Sequence, residues 1–413
     1  MCREMKDSGI EWIGEIPREK SIINLKHVLS YIKGKNPNEI NDIGKGKPYI
    51  GASDLDKDRG YLEYKNYCDE DLPCAEKEDV LVLWDGARAG LIGTNHEGYI
   101  SSTIVKILPN IKYIKKRFFY WYLRGAEKYL FEQVRGTTIP HMSREFIDNM
   151  GMIDFSLNEQ EQIVKYLDKK VSEIDDIILK QKSLIEKYKA YKQSLITETV
   201  TKGLNKNVHM KYSGIEWIGE IPSHWNIEKG KHILNLLSRQ VNEEDEVITC
   251  FRDGEVTLRS NRREEGFTFA DKEIGYQGIE PGDLVIHGMD GFAGAIGISD
   301  SRGKASPVLN VCDTKENKRY IMYYLRRLAY NNVFLALATG IRVRSCDLRW
   351  NKIGNLLYPI PPKDEQDIIV DYLDNKIIKI DNLVQIKQDY VDKLEEYKKS
   401  LIYECVTGKR EMN

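Results

Sequence analysis

Leu167, Val171, Ile174, Ile178, Ile185, Tyr188 and Leu195 recur at steps of four, three and seven, with Gln181 and Lys192 at positions the apolar series skips. A heptad seam sustained for about five heptads predicts a long helix packed lengthwise on another. The same steps return at Leu373, Ile377, Ile380, Val384, Val391, Leu394 and Leu401, interrupted by Lys387 and Lys398. Polar residues inside a seam weaken it but penalise a shifted register, so the two helices are expected to pair in a defined alignment. Boundary signals agree. Ser156 and Glu159 have the spacing of a capping box, Pro359 to Pro362 stop a strand ahead of the second helix, and Gly203 and Gly408 sit where the helices should end.

Between the helices the pattern changes to short apolar runs broken by glycine. EDVLVLWDGARAGLIG (Glu78–Gly93) and GDLVIHGMDGFAGAIG (Gly282–Gly297) each read as a strand, a glycine-rich turn and a second strand. Tyr122, Leu123 and Arg124, like Tyr324, Leu325 and Arg326, lie on short amphipathic helices, followed by turns at Gly136 and Gly340.

The chain is written twice. SGIEWIGEIP occurs at Ser8–Pro17 and again at Ser213–Pro222, 205 positions later, while the helical segments match at an offset of 206, Glu159 with Glu365 and Asp168 with Asp374. A period this long marks a duplicated domain-sized unit, since repeats that stack into solenoids run about 20 to 50 residues. The stretches between the repeated blocks, about Ser21–Phe155 and Asn226–Ile360, mostly diverge. A shared fold with different surfaces follows.

Composition narrows the chemistry. At 413 residues, 41% hydrophobic and 31% charged, the chain is an ordinary globular sequence with no apolar run of membrane-spanning length and no apolar leader, so a cytoplasmic location is expected. Seven scattered cysteines without a CxxC pair argue against a disulfide framework or a zinc site. The net charge of −2 gives no global basic signature, so any nucleic-acid contact must come from local clusters. Such clusters exist. The first divergent stretch holds Lys57, Arg59, Lys65, Arg88, Arg135, Thr137, Thr138, His141, Ser143 and Arg144; the second holds Arg252, Arg259, Arg262, Arg263, Arg342, Arg344 and Arg349. Arginine in polar loops suits bidentate contact with guanine edges or phosphates.

No catalytic constellation survives inspection. GKGK at Gly44–Lys47 lacks the spacing of a phosphate-binding loop, the glycine-rich turns are not GxGxxG, no Asn-Pro-Pro-aromatic motif of an adenine methyltransferase occurs, and the seven histidines show no metal spacing. The chain reads as a binding module without an active site.

The doubled GIEWIGEIP block, two divergent domains, and two helical segments that open on EQ and close on YKxSLIxExVT resemble the specificity subunit of type I restriction-modification systems over the whole chain. The resemblance implies an α+β fold: two mixed α/β target recognition domains joined by two long helices in an antiparallel coiled coil, with a pseudo-two-fold repeat. It divides the chain into residues 1–157 (N-terminal block and first recognition domain), 158–203 (central helix), 204–361 (second block and recognition domain) and 362–413 (C-terminal helix). It further implies double-stranded DNA as ligand, two modification subunits that bind S-adenosylmethionine and methylate adenine, and separate restriction subunits; no cofactor belongs to this chain. Helices of about 45 residues reach roughly 65–70 Å, and half-sites on one face of DNA lie about 34–36 Å apart, so partial overlap of the helices satisfies both lengths. Because the recognition domains differ, the expected target is asymmetric and gapped. The alternative is an assembly scaffold or regulatory copy without productive DNA recognition.

Overall fold

The computed structural model describes residues 4–55, 64–134, 140–262, 274–336 and 348–412. The chain divides into two compact units, residues 1–182 with 389–413, and residues 183–388. The two cuts fall 206 positions apart, the offset of the helical repeat. Each unit therefore contains one divergent domain, the first part of the long helix that follows it, and the last part of the other long helix.

The long helices run Leu157–Lys202 and Lys363–Val406. Ser156 and Glu159 form the capping box: Glu159 Oε2 accepts from the Ser156 N–H at 2.8 Å, and the Glu159 N–H donates to Ser156 Oγ at 3.3 Å. Both helices end on a glycine in the left-handed region, Gly203 at φ 69° and Gly408 at φ 66°. The helices pack antiparallel. In the first unit Lys398 Nζ donates to Asp175 Oδ1 at 2.8 Å and Lys182 Nζ to Glu395 at 2.9 Å, so numbers rise along one helix as they fall along the other. In the second unit Lys192 Nζ donates to Asp381 at 2.7 Å. Asp175 and Asp381 are repeat equivalents, as are Lys192 and Lys398, so the two bridges are one bridge written twice. Two of the polar interruptions of the seam, Lys192 and Lys398, thus meet carboxylates across the pair.

Leu167, Val171, Ile174 and Ile178 lie in the core of the first unit with Val391, Leu394 and Leu401 of the other helix. Tyr188, Leu195, Leu373, Ile377, Ile380 and Val384 do the same in the second unit, and Ile185 is also buried. These seams serve two partners, the opposite helix and the adjoining domain, whose Phe118 and Tyr122, or Tyr320 and Tyr324, belong to the same cores.

Each domain is built on a four-stranded antiparallel sheet of the same order. In the first it runs Leu29–Lys33, Ile104–Pro109, Val80–Leu83, Ile92–Gly93; in the second Leu234–Leu236, Leu309–Thr314, Leu284–His287, Ile296–Ile298. The central strands Val80–Leu83 and Leu284–Ile286 are buried throughout, as their unbroken apolar sequence requires. The amphipathic helices Lys116–Gly125 and Lys318–Tyr330 join these sheets to the long helices. The SGIEWIGEIP block forms a hairpin strand and tight turn each time, Met5–Asp7 pairing with Glu15–Pro17 and Met210–Tyr212 with Glu220–Pro222. Among the described residues no helix is long and apolar enough to cross a membrane.

Candidate nucleic-acid interface and the frame that holds it

Two pairs of equivalent side chains clamp each domain to its long helix. Gln160 is buried at the first turn; its Oε1 accepts from the Lys115 N–H at 2.9 Å and its Nε2 donates to the Tyr113 and Phe155 carbonyls at 2.8 Å. Gln366 repeats this with the Asn317 N–H at 2.9 Å and the Pro361 carbonyl at 2.9 Å. Asp168 accepts from Arg117 Nε at 2.9 Å and Trp121 Nε1 at 2.8 Å; Asp374 accepts from Arg319 at 2.7 Å and Tyr323 Oη at 2.5 Å. Burial and the neighbouring Asp374 carboxylate together push the Tyr323 hydroxyl well above its ordinary range. These contacts align Arg117 with Arg319 and Trp121 with Tyr323, and hence Gly125 with Arg327.

At the far end of each central strand lies the glycine-rich turn. Met142 and Leu348, both buried, donate their backbone N–H to the carbonyls of Trp84 and Gly288, each at 2.8 Å. Trp84 and Gly288 are equivalent positions, so the same two loops meet in both domains. Their polar chemistry differs. In the first turn Asp85 contacts His141 Nδ1 at 2.5 Å and Lys33 at 3.1 Å; burial works against its charge, but those two partners hold its carboxyl below the usual range. In the second, His287 Nδ1 accepts from the Met289 N–H at 3.2 Å and the Asp290 N–H at 3.0 Å, and burial holds the imidazole below its ordinary value.

The candidate DNA-contacting residues divide into three groups. Lys57, Arg59, Arg135, Thr137, Thr138, Arg263, Arg342 and Arg344 lie outside the described residues. Several others are tied to carboxylates: His141 to Asp85, Arg144 to Asp148 at 3.2 Å while stacking on Tyr31, Arg252 to Asp290 at 2.9 Å, and Arg262 to Asp253 and Glu255 at 2.8 and 2.9 Å over the Phe251 ring. The rest are placed by other contacts. Ser143 caps the helix Arg144–Asn149 through the Phe146 N–H, Arg88 donates to the Ala52 carbonyl at 3.1 Å, Arg259 to Thr249 Oγ1 at 3.3 Å, Arg349 occupies the N-cap position of the turn Trp350–Ile353, and Lys65 is exposed. His141, Ser143 and Arg144 gather beside the first glycine-rich turn. Arg252 and Arg349 flank the second, the latter next to Leu348.

Residues 17–187 match the family described as Type I restriction modification DNA specificity domain. Over 412 residues the chain is 25% identical to the type I restriction enzyme MjaVIII specificity subunit of Methanocaldococcus jannaschii, covering 95% of this chain and 93% of that one. The chain thus carries a type I restriction-modification DNA specificity domain over residues 17–187 and is similar along nearly its whole length to type I specificity subunits. The EcoDI specificity subunit of Escherichia coli is 22% identical over 66% of this chain and 68% of its own. A solved chain, described under complex assembly and conformational transition of the type I R-M system, shares the fold at TM-score 0.70 and 16% identity, over 96% of this chain and 99% of that one.

The function this similarity carries is that of the DNA specificity subunit, which in type I systems is the non-catalytic one. The buried glutamines Gln160 and Gln366 and the aspartates Asp168 and Asp374 were not among the residues singled out from sequence. The signal was present: each recurs at the same place in both copies, and Gln160 precedes Ile163 and Leu167 by three and seven, on the buried stripe.

Proposed function

We propose that this subunit reads an asymmetric, gapped target on double-stranded DNA, one half-site per divergent domain, and docks two modification subunits and the restriction subunits through its helical frame. S-adenosylmethionine and the methyl-transfer and cleavage chemistry belong to those partners. The observation that carries the reading is a frame repeated in both units, Gln160 with Gln366 and Asp168 with Asp374, beneath loops whose chemistry is not repeated. Identical loops on such a frame would favour a palindrome; His141, Ser143 and Arg144 against Arg252 and Arg349 favour two unlike half-sites. The Arg252–Asp290 pair is exposed, and such pairs are worth about 0–1 kcal/mol, so exchanging Asp290 for a DNA phosphate costs Arg252 little.

The same carboxylates favour a second reading, a scaffold that assembles subunits without productive DNA recognition. Genomic adenine-methylation mapping in cells that express this chain with its modification subunit separates the two. A gapped motif with unlike halves is the expected result, and loss of one half on replacing Arg252 by Ala would tie that half to the second domain. Assembly without any methylated motif would refute recognition and leave the scaffold.

A further inference from the structure

The tight turn of the SGIEWIGEIP block is a single helical turn closed by a left-handed glycine: the Gly14 N–H bonds the Ile10 carbonyl and the Gly219 N–H the Ile215 carbonyl, each at 2.9 Å, with φ of 69° and 74°. The last carbonyls of such a turn have no helical donor and attract cations. In both units a cation answers. In the first, Lys409 Nζ donates to the Ile13 carbonyl at 2.8 Å, beside the Tyr403 hydroxyl at 2.9 Å on the same oxygen. In the second, the guanidinium of Arg327 donates to the carbonyl of Trp217. Arg327 is only 5% exposed, and its Nε and Nη1 make no hydrogen bond among the described residues. Its burial is sustained by one carbonyl and the surrounding aromatic core.

Arg327 has no counterpart in the first unit, because its equivalent is Gly125. A Cβ there would meet Val406 Cγ2 at 2.6 Å, so a side chain at that position requires Val406 to shift. Beside Gly125 lies instead a cavity of about 540 Å³, walled by Trp12, Tyr129 and Tyr403 and rimmed by Glu11 and Glu132. This is within the size range that holds small ligands and ample for one long side chain with its flanking backbone. Trp12 and Tyr129, both in its wall, stack on each other at 6.2 Å with ring planes 22° apart. Trp12 is the equivalent of Trp217, and its carbonyl meets no donor among the described residues. Gln133, Ser400 and two exposed lysines, Lys128 and Lys399, also line the cavity, Lys128 lying 4.0 Å from Glu132.

We propose that the cavity between Trp12, Gly125, Tyr129 and Tyr403 receives an arginine side chain from a partner subunit of the complex, at the place that Arg327 fills from within in the second unit. A planar cation stacks on tyrosine and tryptophan and donates to carbonyl and carboxylate, which a lysine does less well. The inference rests on the proposed assembly with modification subunits, and it makes docking on the two units chemically unequal.

The test uses the full chain co-expressed with its modification subunit, with the photo-crosslinker benzoylphenylalanine introduced at Tyr129 or, as control, at the equivalent Asn331. The expected result is a crosslink from position 129 to a modification-subunit peptide that contains an arginine, with none to that peptide from position 331. Replacing that arginine by Ala should weaken capture about tenfold. Ser400→Trp, at the exposed rim of the cavity, should weaken it similarly, whereas Ser194→Trp at the repeat-equivalent site should not. An assembled complex with no crosslink from 129, or one to a segment without arginine, overturns the inference and leaves the assembly reading standing. Failure of the unmodified chain to capture any modification subunit overturns that reading, and the inference with it.

Discussion

Replacing Lys398 by Ala should damage the helix pair far more than replacing Lys192 by Ala, although the two lysines occupy the same place in the repeat. The difference lies in their carboxylates. Asp175 is 5% exposed and its partner Lys398 20%, whereas Asp381 is 52% exposed beside Lys192 at 23%. Breaking a buried pair leaves an uncompensated charge and costs about 3–5 kcal/mol; partial solvent access through the shortened side chain brings Lys398→Ala down to about 2–3 kcal/mol. The exposed pair is worth at most about 1 kcal/mol. Two units that can open separately make a single melting temperature a poor readout, so the assay is native-state hydrogen exchange followed by mass spectrometry. Lys398→Ala should speed exchange in 157–182 and 389–406 by about 30- to 150-fold, and Lys192→Ala should speed exchange in 183–202 and 363–388 by less than about fivefold. Converting the buried pair to apolar residues, Asp175→Leu with Lys398→Met, should recover most of the loss, because an apolar pair of similar volume needs no compensation. Equal effects of the two single substitutions, or a double variant as unstable as Lys398→Ala, would refute the assignment of burial as the deciding factor.

Two further outcomes are expected. Asp374→Ala removes the acceptor of both Arg319 and Tyr323 and should cost about 2 kcal/mol, read as faster exchange in Lys318–Tyr330 with no change in Lys116–Gly125. His287 sits below its ordinary value of 6.5 because burial disfavours its charged form, so the unfolded turn binds the proton more readily; the stabilisation is complete above that value and is lost as pH falls below it. The Met289 and Asp290 amides, which donate to the neutral ring, should then lose protection below about pH 6.5 beyond the intrinsic pH effect, and His287→Asn should flatten that dependence.

The long helices were legible because a heptad seam is a local pattern, and the duplication because it is literal. The bridges were half legible. Lys192 and Lys398 stand out as polar residues in an apolar series, but Asp175 follows Ile174 directly and reads as an outward position until the antiparallel register brings Lys398 to it. The clamps had a visible trace in the repeated Gln and Asp, yet their partners, the Lys115 and Asn317 amides, carry no sequence signal at all. The loop residues were chosen for charge and setting; Asp148 for Arg144 and Asp253 for Arg262 lie within ten residues, whereas Asp290 for Arg252 and Asp85 for His141 are 38 and 56 residues away, beyond the reach of any local reading.

The division of the chain has a consequence for the order in which it is made. The core of the first unit contains Val391, Leu401, Ile402, Cys405 and Val406, so the domain synthesised first is completed by residues made only after the whole of 183–388. The second unit, by contrast, holds one uninterrupted stretch, 183–388, and has all its residues before the first has its own. Maturation therefore runs opposite to synthesis. A nascent chain cut just after residue 388 would carry every residue of the second unit and an incomplete core in the first, and the half-site proposed for the first domain would be the one lost.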